Sequence, residues 1–275
     1  MTPIFLNIRS YLFGVIFMAL FFQKNSPLLV DQETNGKSMY FFSTDDQDEY
    51  KKNCKKMPKD WKYHKETIRY DFNSLGYRTQ EINDISKPFL LATGCSYTEG
   101  VGLNTEDIWC SMLANELQLD LVNIGKQASS PEVLHFNSLL WKLNNLPLPK
   151  LVVAQWPQIT RKQFGFEDDD GSIRWKDMSG TRSIDGKWWS KRYIQDIGEL
   201  KKSVFASIES FNLVWQSLGV PVVNFTWEGE LDFLLSVDMQ YINPTSGSME
   251  ARDCMHDGVE FHRQTTDQLL ASNKI

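Results

Sequence analysis

The chain has 275 residues, of which 41% are hydrophobic and 13% aromatic, so it is long enough for one large core with extensions. Its net charge is −6 at pH 7, and its 29 Lys and Arg residues are spread along the sequence. The composition argues against a nucleic-acid partner, because proteins that bind nucleic acids cluster positive charge on one face. Four cysteines do not make a disulfide framework in a chain of this length.

The N-terminal segment 1–23 is strongly apolar between Arg9 and Lys24. Its apolar core, residues 11–22, has a length typical of a signal peptide, since a membrane span needs about 20 residues. Extending it to residues 4–22 reaches that length. Because no small-residue cleavage site follows, we predict an uncleaved membrane anchor. A signal peptide, or a stretch without a role in the fold, stays as the alternative, so membrane-anchored, exported and cytoplasmic locations are all open.

The segment 24–72 is predicted to be a polar extension. Residues 23–48 are rich in turn formers and acids, which is typical of a linker on the surface. Residues 49–69 and their neighbour Tyr70 carry aromatic side chains, including Trp61 and Tyr63. We expect these aromatics to pack on the main domain as a flap.

From residue 73 to 275, short apolar runs alternate with segments of helical periodicity. The predicted strands are 89–92, 120–124, 151–154 and 221–226, and the predicted helices are 109–117, 131–143, 193–218 and 259–270. Buried strands that alternate with helices predict an α/β domain with a parallel sheet covered on both faces. The segment 163–192 is rich in Gly, Asp and Trp without a clear period, and we interpret it as an inserted loop or lid.

The most informative segment is residues 89–100, Phe-Leu-Leu-Ala-Thr-Gly-Cys-Ser-Tyr-Thr-Glu-Gly. An apolar strand ends in a turn that presents Ser96 at the carboxyl end of the sheet, where ligands bind in open α/β sheets. A serine becomes a nucleophile when a base is beside it. Asp253 and His256 supply a candidate, because an Asp three residues before a His can orient the imidazole.

These blocks resemble the SGNH (GDSL-like) hydrolase family. Residues 94–100, Gly-Cys-Ser-Tyr-Thr-Glu-Gly, match its first block, and residues 253–256, Asp-Cys-Met-His, match its last. Residues 122–128 are similar to the second block, 151–158 to the strand that leads to the third, and 73–78 to a lead-in before the first strand. The resemblance implies a flavodoxin-like three-layer α/β/α sandwich with a mostly parallel sheet over residues 73–275.

The chain departs from this family at several positions. Cys95 stands in place of the Asp before the nucleophile, Ala128 in place of the second-block Gly, and Gln158 in place of the third-block Asn. The resemblance implies an oxyanion hole formed by the N–H groups of Ser96 and Ala128 and the side-chain amide of Gln158. Gln158 keeps the side-chain amide but is one methylene longer than Asn, and displacing a catalytic group by about 1 Å can cost about 10²-fold in rate. The chain therefore retains the nucleophile and base of the family pattern, while its oxyanion hole is altered.

The resulting hypothesis is a serine esterase in which Ser96, His256 and Asp253 carry acyl transfer from an ester, either to water or to another hydroxyl. The resemblance implies esterase, lipase or carbohydrate O-acyl chemistry without choosing among them, and an acylated glycan is one candidate substrate. The insert carries Trp175, Trp188 and Trp189, which suit a sugar-binding face, a protein contact or packing within the insert itself. The alternative hypothesis is a catalytically impaired module that binds a glycan or protein partner.

No cofactor is required by this chemistry. Cys95, Cys254 and His256 are conceivable metal ligands, but their spacing lacks a zinc-site pattern, so no metal is predicted. We interpret the four cysteines as small buried thiols. We interpret His262, in the last predicted helix, as a structural residue.

Overall fold

The computed structural model describes residues 34–167, 173–178, 197–227, 239–245, 250–272 and 274–275. Within these ranges, no helix has the length and apolar character needed to cross a membrane. The predicted anchor at residues 4–22 lies outside the described residues, as do Trp188 and Trp189 of the insert.

The described residues form nine strands and six helices. The strands are β1 (Ser38–Met39), β2 (Tyr70–Asp71), β3 (Phe89–Thr93), β4 (Asp120–Asn123), β5 (Leu151–Gln155), β6 (Lys162–Glu167), β7 (Ile173–Met178), β8 (Val222–Thr226) and β9 (Met239–Tyr241). The helices are α1 (Gln47–Lys56), α2 (Ser96–Glu99), α3 (Trp109–Glu116), α4 (Pro131–Leu143), α5 (Ile197–Ser217) and α6 (Val259–Ala271). Short 3₁₀ turns cover Lys62–His64, Ile82–Asp84 and Thr105–Asp107.

Five of these strands form one sheet in the order β4-β3-β5-β8-β9, and every neighbouring pair is parallel. This is the flavodoxin-like strand order. Strand β4 is added on one side of β3, and β5, β8 and β9 are then added on the other side, so the order of strands switches between β3 and β5. The predicted fold class is therefore confirmed. Strand β9 was not predicted, because three residues are too few for a periodic pattern.

The sheet is covered on both faces, as a buried parallel sheet requires. Alternate residues of β3 enter different cores: Phe89 and Leu91 belong to one hydrophobic cluster, and Leu90 and Ala92 to the other. The first cluster includes residues of α4 and α5, which pack on each other, and the second includes residues of α3 and α6. The domain is thus a three-layer α/β/α sandwich.

The N-terminal extension packs on the second of these cores. Trp61, Tyr63 and Tyr70 are buried there, as predicted. The interpretation of residues 23–48 as a surface linker is wrong around Asp45, which is fully buried. The reason is an ion pair that local sequence does not reveal: the Arg252 guanidinium, itself buried, donates to both carboxylate oxygens of Asp45.

The insert contains a β-hairpin where the sequence predicted an irregular loop. Strand β6 pairs with β7 in antiparallel register. The period-2 alternation of Phe164 and Phe166, and of Ile173 and Trp175, was the available signal for these strands. Helix α5 is described from Ile197, so the predicted start at residue 193 lies outside the described residues.

Candidate active site

The nucleophile turn joins β3 to the short helix α2, which begins at Ser96. Gly94 has to be glycine, since a Cβ there would lie 2.2 Å from Thr98 Oγ1 and 2.8 Å from Gln155 Oε1. Ser96 comes first in α2, and the first N–H groups of a helix have no partner within it. The turn therefore presents both a hydroxyl and a main-chain donor at the carboxyl end of the sheet.

The structure brings Ser96, His256 and Asp253 into one hydrogen-bonded chain. His256 Nε2 lies 2.8 Å from Ser96 Oγ, and His256 Nδ1 lies 2.6 Å from Asp253 Oδ2. Because a carboxylate only accepts hydrogen bonds, Nδ1 carries a proton in this arrangement and Nε2 of a neutral ring is free to accept the Ser96 proton. This is the geometry of a nucleophile, a general base and an orienting carboxylate.

Asp253 is buried and held by several donors. Its Oδ1 accepts from the N–H groups of Met255 and His256 at 3.1 and 3.2 Å, and its Oδ2 also accepts from Thr44 Oγ1 at 2.7 Å. Burial alone would raise the pKa of Asp253, but the bonds from His256, Thr44 and Met255 outweigh it and lower the pKa below its usual range. The carboxylate is therefore ionised at neutral pH, as an orienting group must be.

A cavity of about 330 Å³ opens beside Ser96 and His256, at the point where the strand order reverses. Its lining is mainly polar, with hydroxyl and amide side chains that include Thr44, Gln127 and Gln158. Trp227 provides an aromatic wall. The cavity is large enough for a small ligand and has hydroxyl and amide groups in its lining.

Gln155 is one of the site residues that the sequence patterns did not predict, together with Thr44 and Arg161. Its buried side chain at the end of β5 accepts from the N–H of Cys95 at 3.0 Å through Oε1, and donates to the Trp156 carbonyl through Nε2. It thus fixes the residue before Ser96 to the neighbouring strand. A polar residue at the end of an apolar strand was the signal that could have found it.

The second block is fixed to the nucleophile turn by two polar side chains. Glu99 accepts from the Gln127 N–H at 2.7 Å, and Asn123 donates to the Thr98 carbonyl at 2.6 Å. Ala128, the next residue, lines the cavity with φ of 57°. That left-handed conformation is one that glycine adopts without strain, which is consistent with Ala128 standing where the family pattern has Gly.

The remaining predicted residues lie as follows. Gln158 lines the cavity in the loop after β5, and its carbonyl accepts from the Arg161 N–H at 3.1 Å. All four cysteines are free thiols; Cys95 and Cys110 are buried, and Cys54 and Cys254 are partly buried, so the interpretation as buried thiols is only half right. Among the described residues, no group of three or more His, Cys, Asp or Glu side chains is arranged to hold a metal ion.

His262 lies fully buried next to this site. Its Nδ1 accepts from the Trp109 N–H at 3.1 Å, and its ring stacks on Tyr97 with centroids 6.1 Å apart. Burial, with a smaller contribution from His256, lowers the pKa of His262 to about 3. The ring is therefore neutral and serves packing, in keeping with the structural role interpreted from the sequence.

This buried histidine predicts a pH dependence of stability. The pKa of His262 is about 3 in the folded protein and 6.5 in the unfolded chain. Between pH 3 and pH 6.5 the unfolded chain therefore binds more protons than the folded protein, so the free energy of unfolding rises with pH. The His262→Asn variant keeps an acceptor for the Trp109 N–H but cannot titrate. We expect its free energy of unfolding to fall less than that of the wild type between pH 6.5 and pH 5, by up to about 2 kcal/mol. Urea unfolding of both proteins at the two pH values measures this, and parallel losses would contradict the prediction.

Fold and site together define an α/β protein with a Ser–His–Asp arrangement at the carboxyl edge of a parallel sheet. No protein-family model matches the chain, and no curated protein matches it either. Solved structures that are similar to it include a lipolytic protein of the G-D-S-L family from Veillonella parvula DSM 2008, with 12% identity, 67% of this chain and 97% of that chain covered, and a TM-score of 0.40.

Two esterases are also among the similar structures. An acetyl xylan esterase from the rumen bacterium Butyrivibrio proteoclasticus has 11% identity, with 68% of this chain and 63% of that chain covered and a TM-score of 0.46. A catalytic mutant of an acetylxylan esterase from Geobacillus stearothermophilus has 14% identity, with 69% and 95% covered and a TM-score of 0.41.

Proposed function

We propose that the protein is a serine esterase that cleaves an oxygen ester through an acyl-enzyme on Ser96. The observation that carries this proposal is the hydrogen-bonded chain from Ser96 Oγ through His256 to the buried Asp253 carboxylate, at 2.8 and 2.6 Å. Its position beside a polar cavity at the sheet edge gives a substrate access to the serine.

The reaction follows from these positions. Ser96 Oγ attacks the ester carbonyl carbon while His256 Nε2 takes its proton, and Asp253 stabilises the imidazolium that forms. The tetrahedral intermediate collapses, the C–O bond to the leaving alcohol breaks, and His256 delivers the proton to that alcohol. A water molecule, or the hydroxyl of an acceptor, then attacks the acyl-enzyme with His256 again as base, which restores Ser96.

The negative charge on the carbonyl oxygen needs donors in this mechanism. We assign this role to the N–H groups of Ser96 and Ala128 and the amide of Gln158. Glu99 supports the assignment, because its bond to the Gln127 N–H fixes the loop just before Ala128. Removing one oxyanion donor typically costs about 10²–10³ in turnover.

An acylated carbohydrate is the substrate class that the cavity suits best. Sugars are bound by hydroxyl and amide side chains together with an aromatic face, and the lining includes Thr44, Gln127 and Trp227. The aromatic wall also suits an acyl chain, so comparing acetylated sugars with long-chain esters separates a carbohydrate esterase from a lipase.

Labelling with a fluorophosphonate probe tests the proposal. The probe should modify the wild-type protein at Ser96, because it reacts with serines that have an adjacent base. Ser43, which lines the same cavity, provides the control: Ser43→Ala should still be labelled, and Ser96→Ala should not. Absence of labelling in the folded wild-type protein would contradict the proposal and favour a non-catalytic binding module. The altered residues Ala128 and Gln158 are the sequence feature that favours this alternative.

The role assigned to Gln158 predicts a kinetic signature. We expect Gln158→Ala to lower kcat and kcat/KM together by about 10²-fold, since an amide used only in the transition state does not affect substrate binding. Gln127→Ala keeps its main-chain bond to Glu99 and serves as the control, with a smaller effect. Wild-type turnover in Gln158→Ala would leave only main-chain donors, and failure to fold would indicate a structural role for Gln158.

A further inference from the structure

Arg161 lines the active-site cavity and is only partly buried. Its Nε and Nη1 atoms are nevertheless inaccessible to water, and neither has a hydrogen-bond partner in the described part of the chain. The next residue, Lys162, differs sharply, because its ammonium binds Glu132 and Ser203. The cation at 162 is thus neutralised within the protein, while the cation at 161 has N–H donors left over.

The charges around the cavity make this unpaired cation more significant. No Asp or Glu is among the described residues that line it, although the chain as a whole has a net charge of −6. The carboxylates next to the cavity are already bonded within the protein: Asp253 to His256 and Thr44, Glu99 to the Gln127 N–H, and Asp257 to the Tyr97 hydroxyl. Arg161 is thus the one permanently charged side chain among the described residues that line the cavity, and its positive charge favours an anionic ligand there.

The chemistry of the guanidinium group limits the class of ligand that Arg161 can bind. A buried donor left unpaired is unfavourable, and more so when it is charged, so an unpaired guanidinium in a cavity favours a ligand that pairs with it. Guanidinium binds anions with two or more oxygens through two parallel N–H···O bonds. Nε belongs to the side edge of the group and Nη1 to its end edge; both are unpaired but shielded from solvent here, so a ligand in the cavity would reach them only after the side chain rotates.

We propose that Arg161 binds a carboxylate or sulfate group on the substrate, so that the preferred substrate is an anionic acylated sugar. This inference rests on the proposed esterase function and adds the charge of the substrate to it. Arg161 would hold the anionic end while the ester carbonyl lies against Ser96. Its role is specificity, and it differs from that of the oxyanion donors, which act on the carbonyl oxygen.

The test compares the mono-O-acetylated forms of three sugars that differ in the group at C6: methyl glucoside is neutral, methyl glucuronide carries a carboxylate, and methyl glucoside 6-sulfate carries a sulfate. We expect wild-type kcat/KM to be at least tenfold higher for one or both charged esters than for the neutral one. In Arg161→Gln this ratio should fall at least tenfold, and Arg161→Lys should recover part of it. Arg263→Gln, which removes an exposed arginine on α6, should keep the wild-type ratio.

The charged arms separate a carboxylate ligand from a sulfate ligand. A wild-type ratio near one for both, or an equal loss on charged and neutral esters in Arg161→Gln, would overturn the inference; the second result would assign Arg161 to the oxyanion or to folding. If none of the esters is hydrolysed, the esterase proposal fails by itself. Binding measurements then test the anion site by themselves, with methyl glucuronide, methyl glucoside 6-sulfate and methyl glucoside titrated into the wild type and Arg161→Gln. Binding of a charged sugar that is lost in Arg161→Gln supports the anion site. Equal binding by both proteins, or no binding, refutes it.

Discussion

Replacing Ser96 with alanine is expected to abolish ester hydrolysis without unfolding the protein. The substitution removes the atom that we propose forms the acyl-enzyme, and loss of a catalytic serine typically costs about 10⁴-fold or more in kcat. The hydroxyl makes one hydrogen bond, to His256, at the mouth of a cavity. We therefore expect the free energy of unfolding to change by no more than about 1 kcal/mol.

Two measurements check this result on purified protein: hydrolysis of p-nitrophenyl acetate, and urea unfolding followed by circular dichroism. Residual activity equal to the wild type would show that another group is the nucleophile. A large loss of stability would show that Ser96 is needed for folding, and Ser96→Cys, which keeps a nucleophilic atom, would then separate the two roles.

The second large effect concerns Arg252, next to the candidate carboxylate Asp253. Arg252 donates to Asp45 through Nε and Nη2, both side chains are buried, and Tyr70 OH donates to the same carboxylate at 2.5 Å. Arg252→Met leaves the Asp45 charge buried without its partner, which typically costs about 3–5 kcal/mol. We expect a loss of unfolding free energy of this size in denaturant titrations.

Arg69→Met provides the matched control, because it breaks the exposed Arg69–Asp71 pair, which is expected to contribute less than about 1 kcal/mol. The double variant Arg252→Met with Asp45→Leu removes both buried charges and should recover much of the stability. If Arg252→Met lowers the free energy of unfolding by less than about 1 kcal/mol, the Arg252–Asp45 pair does not contribute strongly to holding the extension on the domain, contrary to this prediction.

The parts of the site that the sequence revealed are those encoded by short local patterns. Ser96 follows a strand-and-turn pattern, and Asp253 and His256 are three positions apart. Such patterns need only local geometry to form. The strands and helices around them were predicted to within a few residues for the same reason, since an apolar period reflects which face of each element is buried.

The parts that the sequence did not reveal depend on pairing between distant polar residues. Thr44 binds Asp253 and Gln155 binds Cys95, and no periodicity marks either residue. Asp45 stands in an acid-rich stretch that is typical of solvent exposure, yet Arg252 keeps it in the core. A charge is buried only where its partner lies, and that partner is fixed by the tertiary structure.

The bond from Thr44 to Asp253 spans 209 positions, and the bond from His256 to Ser96 spans 160. During synthesis, Ser96 and its strand leave the ribosome before His256 is made, so the proposed nucleophile has no base until residue 256 has been added. Contacts this far apart in sequence also form slowly, because a long loop must close first. The proposed esterase activity therefore requires both ends of the domain to be joined, and a chain truncated before His256 is expected to be inactive even with its sheet intact.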